Sequence, residues 1–165
     1  MMIRIFKYCS VLILSLSFLS IMSCSSKGSE NESDGNIKFE VIKEGPISGF
    51  TDEKMMVINN NDDYQKIMSI VYWNLDQMPI IPEVDFTKSI LILTAMGTKS
   101  TGGYTIGIDN ISKSGGKITV NLTETSPGKN CLNTESVTSP YQIVKIKKTD
   151  KEIKFNISRN VKDCP

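Results

Sequence analysis

Apolar and polar residues alternate along much of the chain, the period of β-strands that bury one face. The alternating segments are Ile37–Lys43, Tyr104–Ile111, Ile118–Thr125, Pro140–Lys147 and Glu152–Ser158, and the shorter apolar run Met55–Asn59 is also assigned to a strand. Ser89–Met96 is almost uninterrupted in its apolar character, which predicts a central strand that is buried on both faces. Turn residues such as Ser114-Gly115-Gly116-Lys117 separate the later strands, so they are expected to run antiparallel.

One segment has the period of an α-helix. The run from Asn59 to Asp63 offers residues that cap helix amino termini. Behind it, apolar side chains fall on one face at helical spacing, namely Tyr64, Ile67, Met68, Val71 and Leu75. We predict a helix over Asp62–Leu75, with Tyr72 and Trp73 packing between helix and sheet. The predicted fold is therefore α+β, an antiparallel meander with one main helix packed on it.

The first 24 residues have the plan of a bacterial lipoprotein signal. Arg4 and Lys7 precede an apolar stretch, which ends in Met22-Ser23-Cys24. The stretch is shorter than the roughly 20 apolar residues that a membrane-spanning helix needs. We predict a cleaved signal peptide at 1–23 and lipid attachment at Cys24. The alternative is an ordinary signal peptide cut near a cysteine, since Met22 is not favoured in that slot.

The segment that follows Cys24 lacks apolar residues as far as Asn36, so it cannot bury enough surface to order itself. We expect residues 24–36 to be a lipidated flexible tether and residues 37–165 to form a single α+β domain. The predicted location is the bacterial cell envelope, lipid-anchored at the outer membrane and either periplasmic or surface-exposed. The membrane is reached through the lipid alone.

Composition excludes several function classes. The full chain has 19 basic and 18 acidic residues, and loss of Arg4 and Lys7 with the signal leaves a net charge of −1. A nearly neutral chain with mixed charges argues against nucleic-acid binding. The chain contains no histidine, so Ser-His and Cys-His nucleophile pairs and imidazole metal sites are closed to it. No cofactor or metal site is expected.

Two cysteines remain after the signal peptide and the lipidated residue are set aside. Cys131 and Cys164 would share an oxidising compartment, which favours a disulfide between them. A redox pair is the alternative, although such pairs usually lie close together as Cys-x-x-Cys.

Four motifs in the second half occur in a specific order. They are Pro82-Glu83-Val84-Asp85-Phe86, the turn Gly97 to Tyr104 that ends in Thr101-Gly102-Gly103-Tyr104, the loop Pro127-Gly128-Lys129-Asn130-Cys131, and the strand start Pro140-Tyr141 to Lys145. Together they resemble the carboxy-terminal domain of the protease complex subunit PrcB family, over roughly Asp62 to Phe155. The resemblance implies a secreted or lipid-anchored accessory subunit of a surface protease complex. It brings no catalytic residues with it.

The best candidates for partner binding are loops at one end of the predicted sheet. They comprise Thr101, Gly102, Gly103, Tyr104, Pro127, Gly128, Pro140 and Tyr141. Glycine lets a partner approach the backbone closely, and tyrosine is enriched at interfaces. The alternative is purely structural: the glycines make the turn and Tyr104 packs in the sheet.

The carboxylates give weaker signals. Asp62 and Asp63 fit helix capping, and Glu83 and Asp85 fit turn chemistry, although either pair could serve acid–base or calcium chemistry. We therefore predict a non-catalytic, lipid-anchored accessory or binding protein whose partner is a secreted or surface protease or another envelope protein. The alternatives are a carboxylate-based hydrolase, a glycan-binding module and a protease-inhibitor-like domain.

Overall fold

The computed structural model describes residues 34–164, which contain eight strands and one α-helix. The signal peptide predicted at 1–23, the lipidation of Cys24 and most of the predicted tether lie outside the described residues. In chain order the elements are β1 (Gly35–Ile37), β2 (Glu40–Gly45), β3 (Glu53–Ile58), α1 (Asn61–Val71), β4 (Ser89–Met96), β5 (Thr105–Ser114), β6 (Lys117–Pro127), β7 (Tyr141–Lys147) and β8 (Ile153–Lys162).

The strands form two four-stranded sheets. The first sheet has the order β1-β5-β6-β8, and the second has the order β2-β7-β4-β3. Neighbouring strands are antiparallel except for β6 and β8, which run parallel from the Ile118–Ile153 pair to the Pro127–Lys162 pair. The α+β class predicted from the sequence is confirmed, and the structure is mainly β.

The helix and the two sheets stack as three layers with two apolar interfaces. Strand β4 supplies both: Leu91, Leu93 and Ala95 pack with the helix, while Ile90 and Ile92 pack with the first sheet. The prediction that Ser89–Met96 is a central strand buried on both faces is confirmed, since every residue from Ile90 to Met96 is buried. Strand β7 alternates in the same way beside it, with Ile143 facing the helix and Val144 facing the first sheet.

The predicted single meander is wrong in its connections. After β6 the chain passes from the first sheet to the second, where β7 lies between β2 and β4. It then returns to the first sheet, where β8 pairs with β6. The reason is that β7 is apolar on both faces, so it is buried best at the centre of the sheet that carries the helix. Strand β8 has one half-buried face, which suits an outer position.

The strand predicted over Ile37–Lys43 is in fact two strands in different sheets. The chain crosses between the sheets at residues 38–39, and a bulge follows between Val41 and Lys43. The bulge shifts the alternation by one residue, so Ile42 packs against the core and Val41 is exposed. Alternation of period two is the same on both sides of such a crossing, so the pattern could not reveal it.

The helix is shorter than predicted, since it ends at Val71 and not at Leu75. Its amino terminus is capped by Asn60, whose side chain accepts a hydrogen bond from the Asp63 N–H at 2.9 Å. At the other end, Gly49 N–H donates to the Ile70 carbonyl at 2.9 Å, which occupies an acceptor that a further helical turn would use. Leu75 is consequently 49% exposed rather than part of the apolar face, and Trp73 is 62% exposed. Among the described residues, no helix is long and apolar enough to cross a membrane.

The predicted disulfide is present. Cys131 and Cys164 are bonded, with their Cα atoms 5.0 Å apart. Beside the bond, Gly128 N–H donates to the Lys162 carbonyl at 2.8 Å. The bridge therefore fastens the end of β8 to the loop that follows β6.

Removing this bridge should destabilise the fold substantially. It closes a loop of 33 residues, and the chain-entropy relation gives about 3–4 kcal/mol for a loop of that length. The Cys131→Ser/Cys164→Ser double variant should lose about that much free energy of unfolding in urea titrations. Unchanged stability would show that the bond does not constrain the unfolded chain.

Candidate functional site

The predicted loops meet at one end of the two sheets. The turn before β5 lies against the loop after β6: Gly102 N–H donates to the Thr134 carbonyl at 3.0 Å. Thr138 Oγ1 donates to the Thr101 carbonyl at 2.8 Å, and Lys99 pairs with Thr138 in an isolated bridge. Hydrogen bonds thus tie the turn to the loop that leads into β7.

Packing and backbone conformation account for both glycines of the turn. Gly102 is buried, and a Cβ there would collide with Thr134 Oγ1. Gly103 has φ +87°, a conformation that side-chain-bearing residues rarely adopt. A Cβ at Gly103 would also lie 2.6 Å from Asn133 Oδ1 and 3.0 Å from Pro127 Cβ. Packing at Gly102, and both packing and positive φ at Gly103, thus support the interpretation that these glycines are needed to form the turn.

A groove of about 280 Å³ opens beside this turn. It is lined by the end of β2 (Glu44, Gly45 and Pro46), the start of β5 (Tyr104, Thr105 and Ile106) and the start of β7 (Pro140 and Tyr141). Three of the eight predicted binding residues, Tyr104, Pro140 and Tyr141, thus line one groove. Gly103 and Pro127 adjoin it through the turn, while Gly128 is buried against Asp163.

Tyr104 and Tyr141 occupy different environments in this groove. Tyr104 is half-buried, and Lys99 Nζ lies 5.8 Å from its ring centroid in a cation–π arrangement. Tyr141 is only 3% exposed, because Gly45 and Phe50 pack on its ring. Burial raises the pKa of Tyr141 to about 12, with smaller contributions from Tyr72 and Glu44.

Sequence reasoning missed Gln142, which fixes one wall of the groove. Its side chain is buried and joins three strands: Oε1 accepts from Ile108 N–H at 2.7 Å, and Nε2 donates to Glu44 Oε2 at 2.7 Å. The Glu44 carboxylate is thus held in place at the groove. The available signal was a polar residue in the apolar alternation of β7, but its partners are 34 and 98 residues away in the chain.

The carboxylates singled out in the sequence serve the helix amino terminus and a turn. Asp63 exchanges hydrogen bonds with Asn60 at the helix amino terminus, and these bonds together with Lys66 lower the pKa of its carboxyl. Asp85 accepts from Thr87 N–H and Thr87 Oγ1, and these bonds together with Lys88 lower its pKa. In residues 34–164, no three His, Cys, Asp or Glu side chains come together as a metal ion would require.

A larger groove, about 400 Å³, lies at the opposite end of the sheets. It is lined by Val57, Asn59, Ile90, Lys148, Thr149, Asp150, Lys151 and Ile153 and contains none of the predicted binding residues. Two of its polar side chains are bonded within the fold: Lys148 Nζ donates to the Phe86 carbonyl at 2.7 Å, and Thr149 Oγ1 accepts from Lys151 N–H. The smaller groove is therefore the stronger candidate.

Comparison with known proteins gives one match. Residues 90–147 match the family model described as PrcB C-terminal. This confirms over that segment the resemblance seen in the sequence motifs. The matched segment runs from β4 through β7 and contains all eight residues predicted to bind a partner. Searches of curated proteins and of solved structures returned no match to this chain.

The positive φ of Gly103 predicts that alanine destabilises the fold more at position 103 than at position 107. Gly103→Ala should lower the free energy of unfolding by about 1–2 kcal/mol, because alanine resists positive φ. Gly107→Ala is the matched control, since a Cβ there meets nothing within 4 Å. Chemical denaturation of both variants measures the difference, and equal stabilities would contradict the argument from the positive φ of Gly103.

The raised pKa of Tyr141 predicts a loss of stability at high pH. The folded value of about 12 exceeds the ordinary value of 10, so the contribution is complete below pH 10 and is lost as the pH rises towards 12. Absorbance at 295 nm should show a tyrosine that ionises near pH 12 in the native chain and is missing in Tyr141→Phe. Identical titration curves for the two proteins would refute this assignment.

Proposed function

Because residues 90–147 carry a PrcB C-terminal domain, we propose that the chain is a lipid-anchored, non-catalytic binding protein that supports a secreted or surface protease. The observation that carries the proposal is that the matched segment supplies most of the candidate groove. The family associates such a domain with a protease complex. A groove that is already formed before binding costs a partner little in ordering the backbone.

Charge and hydrogen bonding in the site favour binding over chemistry. The chain has no histidine, and the paired carboxylates Asp62/Asp63 and Glu83/Asp85 lie on the helix cap and in a turn rather than at the groove. Glu44 is the carboxylate that lines the groove, and its Oε2 is bonded to Gln142. Positioned backbone, proline and tyrosine surfaces are what a protein partner uses.

Asp34, the first described residue, and the groove lie at opposite ends of β5. Asp34 lies at the β5–β6 hairpin turn, where its Oδ2 accepts from Gly115 N–H at 3.2 Å. The groove lies at the other end of β5, which has ten residues and is roughly 30 Å long.

The test is recovery of partners from native membranes with the full chain. After crosslinking and affinity purification, mass spectrometry should find a protease in stoichiometric amounts with the native protein. Tyr104→Ala should reduce that recovery about tenfold, as expected when an interface loses an aromatic anchor worth roughly 1.4 kcal/mol. The Cys24→Ser variant should leave the membrane fraction if Cys24 carries the lipid.

Tyr72→Ala is the matched control for Tyr104→Ala. Tyr72 is also half-buried and also lies under a lysine, with Lys43 Nζ 5.6 Å from its ring centroid, but it does not line the groove. It should leave partner recovery unchanged. Absence of any stoichiometric protein would reject the proposal and direct work to glycan binding, turnover assays and inhibition of added proteases.

A further inference from the structure

Strand β5 has an edge that the fold covers only in part. Within residues 34–164, β1 pairs with β5 along one side, but only from Ile111 to Lys113. The chain then crosses to the second sheet, where β2 begins at Glu40. Among the strands that the structure describes, the first half of β5, Thr105 to Ile108, therefore pairs with β6 on one side and with none on the other.

The backbone groups on this open side can be identified from one hydrogen bond. Ile108 N–H donates to the side chain of Gln142 rather than to β6, so this amide points away from β6. In an antiparallel strand, alternate residues direct their N–H and C=O groups to the same side. The N–H and C=O of Ile106 therefore face the open side as well.

The run Thr105–Ile108 has neither the charges nor the short length that protect other outer strands here, and the nearest protecting feature is the bulge that follows it between Ile108 and Asn110. Sheet edges in natural proteins are protected by charged side chains or by being very short. Strands β2, β3 and β8 carry charges, including Lys43, Glu53 and Lys154, and β1 has only three residues. Thr105-Ile106-Gly107-Ile108 has no charged residue, and Gly107 has no side chain at all.

The candidate groove lies along this open run. Tyr104, Thr105 and Ile106 form one of its walls, and the ends of β2 and β7 form the others. The space beside the unpaired backbone is thus open and is bordered by Pro46 and Pro140, which cannot donate a backbone hydrogen bond. The β5 wall offers backbone donors and acceptors for pairing, and the two prolines on the other walls lack an N–H with which to pair. The groove therefore suits one extended peptide that pairs with β5 alone.

We propose that the open edge of β5 at Thr105–Ile108 receives an extended segment of the protein partner as an added antiparallel strand. The inference rests on the proposed function, since it names how that partner binds. The added strand continues the line of β1 and pairs with the N–H and C=O of Ile106. Its inward side chains enter the groove, where Ile106, Pro140 and Tyr141 offer apolar contacts beside the Glu44 carboxylate.

Photocrosslinking at two positions of β5 tests the strand directly. A benzophenone amino acid replaces Thr105 in one full-length protein and Gly107 in another. Thr105 is exposed, and a Cβ at Gly107 meets nothing within 4 Å, so both positions accept a side chain. Each variant is first shown to recover the partner as the native protein does, then irradiated in native membranes and mapped by mass spectrometry.

The result expected is two crosslinks within one partner peptide. The partner residue reached from position 107 should lie two residues before the one reached from 105, which is the signature of antiparallel pairing. The same probe at Asn160, on the edge of β8, should give no crosslink to that peptide.

The other outcomes separate the two proposals. If the partner is recovered but the crosslinks are absent, scattered, in the same-direction order or equally strong from Asn160, the added strand is overturned and the proposed function stands. If the native protein recovers no partner at all, the proposed function fails and this inference fails with it.

Discussion

The whole structure depends on burying β4 and β7 on both of their faces. Leu91, Leu93 and Ala95 of β4 hold the helix, while Ile90 and Ile92 hold the first sheet, so one backbone joins all three layers. Each buried Leu or Ile side chain contributes about 1.5–3 kcal/mol, and the four on this strand together exceed what any surface contact offers. The open loops and outer strands can therefore carry binding features without weakening the centre.

Two sets of side-chain hydrogen bonds connect the two sheets in addition to the apolar packing. Gln142 joins β7 to β5 and β2, and Arg159 on β8 donates to Glu124 on β6 and to Glu53 on β3. Glu124 is only 5% exposed, and its Oε2 accepts from Arg159 Nε at 2.9 Å. Hydrogen bonds are directional, so these links fix how the sheets align at the end that holds the groove.

The sequence located most of the elements, because strand alternation and helical spacing are local properties. It could not assign strands to sheets: Pro140–Lys147 has the pattern of a buried strand, but its neighbours β2 and β4 are set by tertiary packing. The loops of the site were found through motifs that lie close together in the chain. Gln142 and Glu44, 98 residues apart, could be recognised as one structural unit only once the fold had brought them together.

The short pairing of β1 also has a mechanical consequence. A load applied at Asp34 would act first on the three residue pairs that join β1 to β5, before it reaches β2 in the other sheet. Ile37 is the residue of β1 that packs against the apolar cluster between the two sheets, so separating this strand removes one peripheral residue from that cluster and none from the cluster under the helix. Unpairing β1 would therefore free a segment of three residues, roughly 10 Å when extended, to change direction while the other strand pairs of both sheets stay intact.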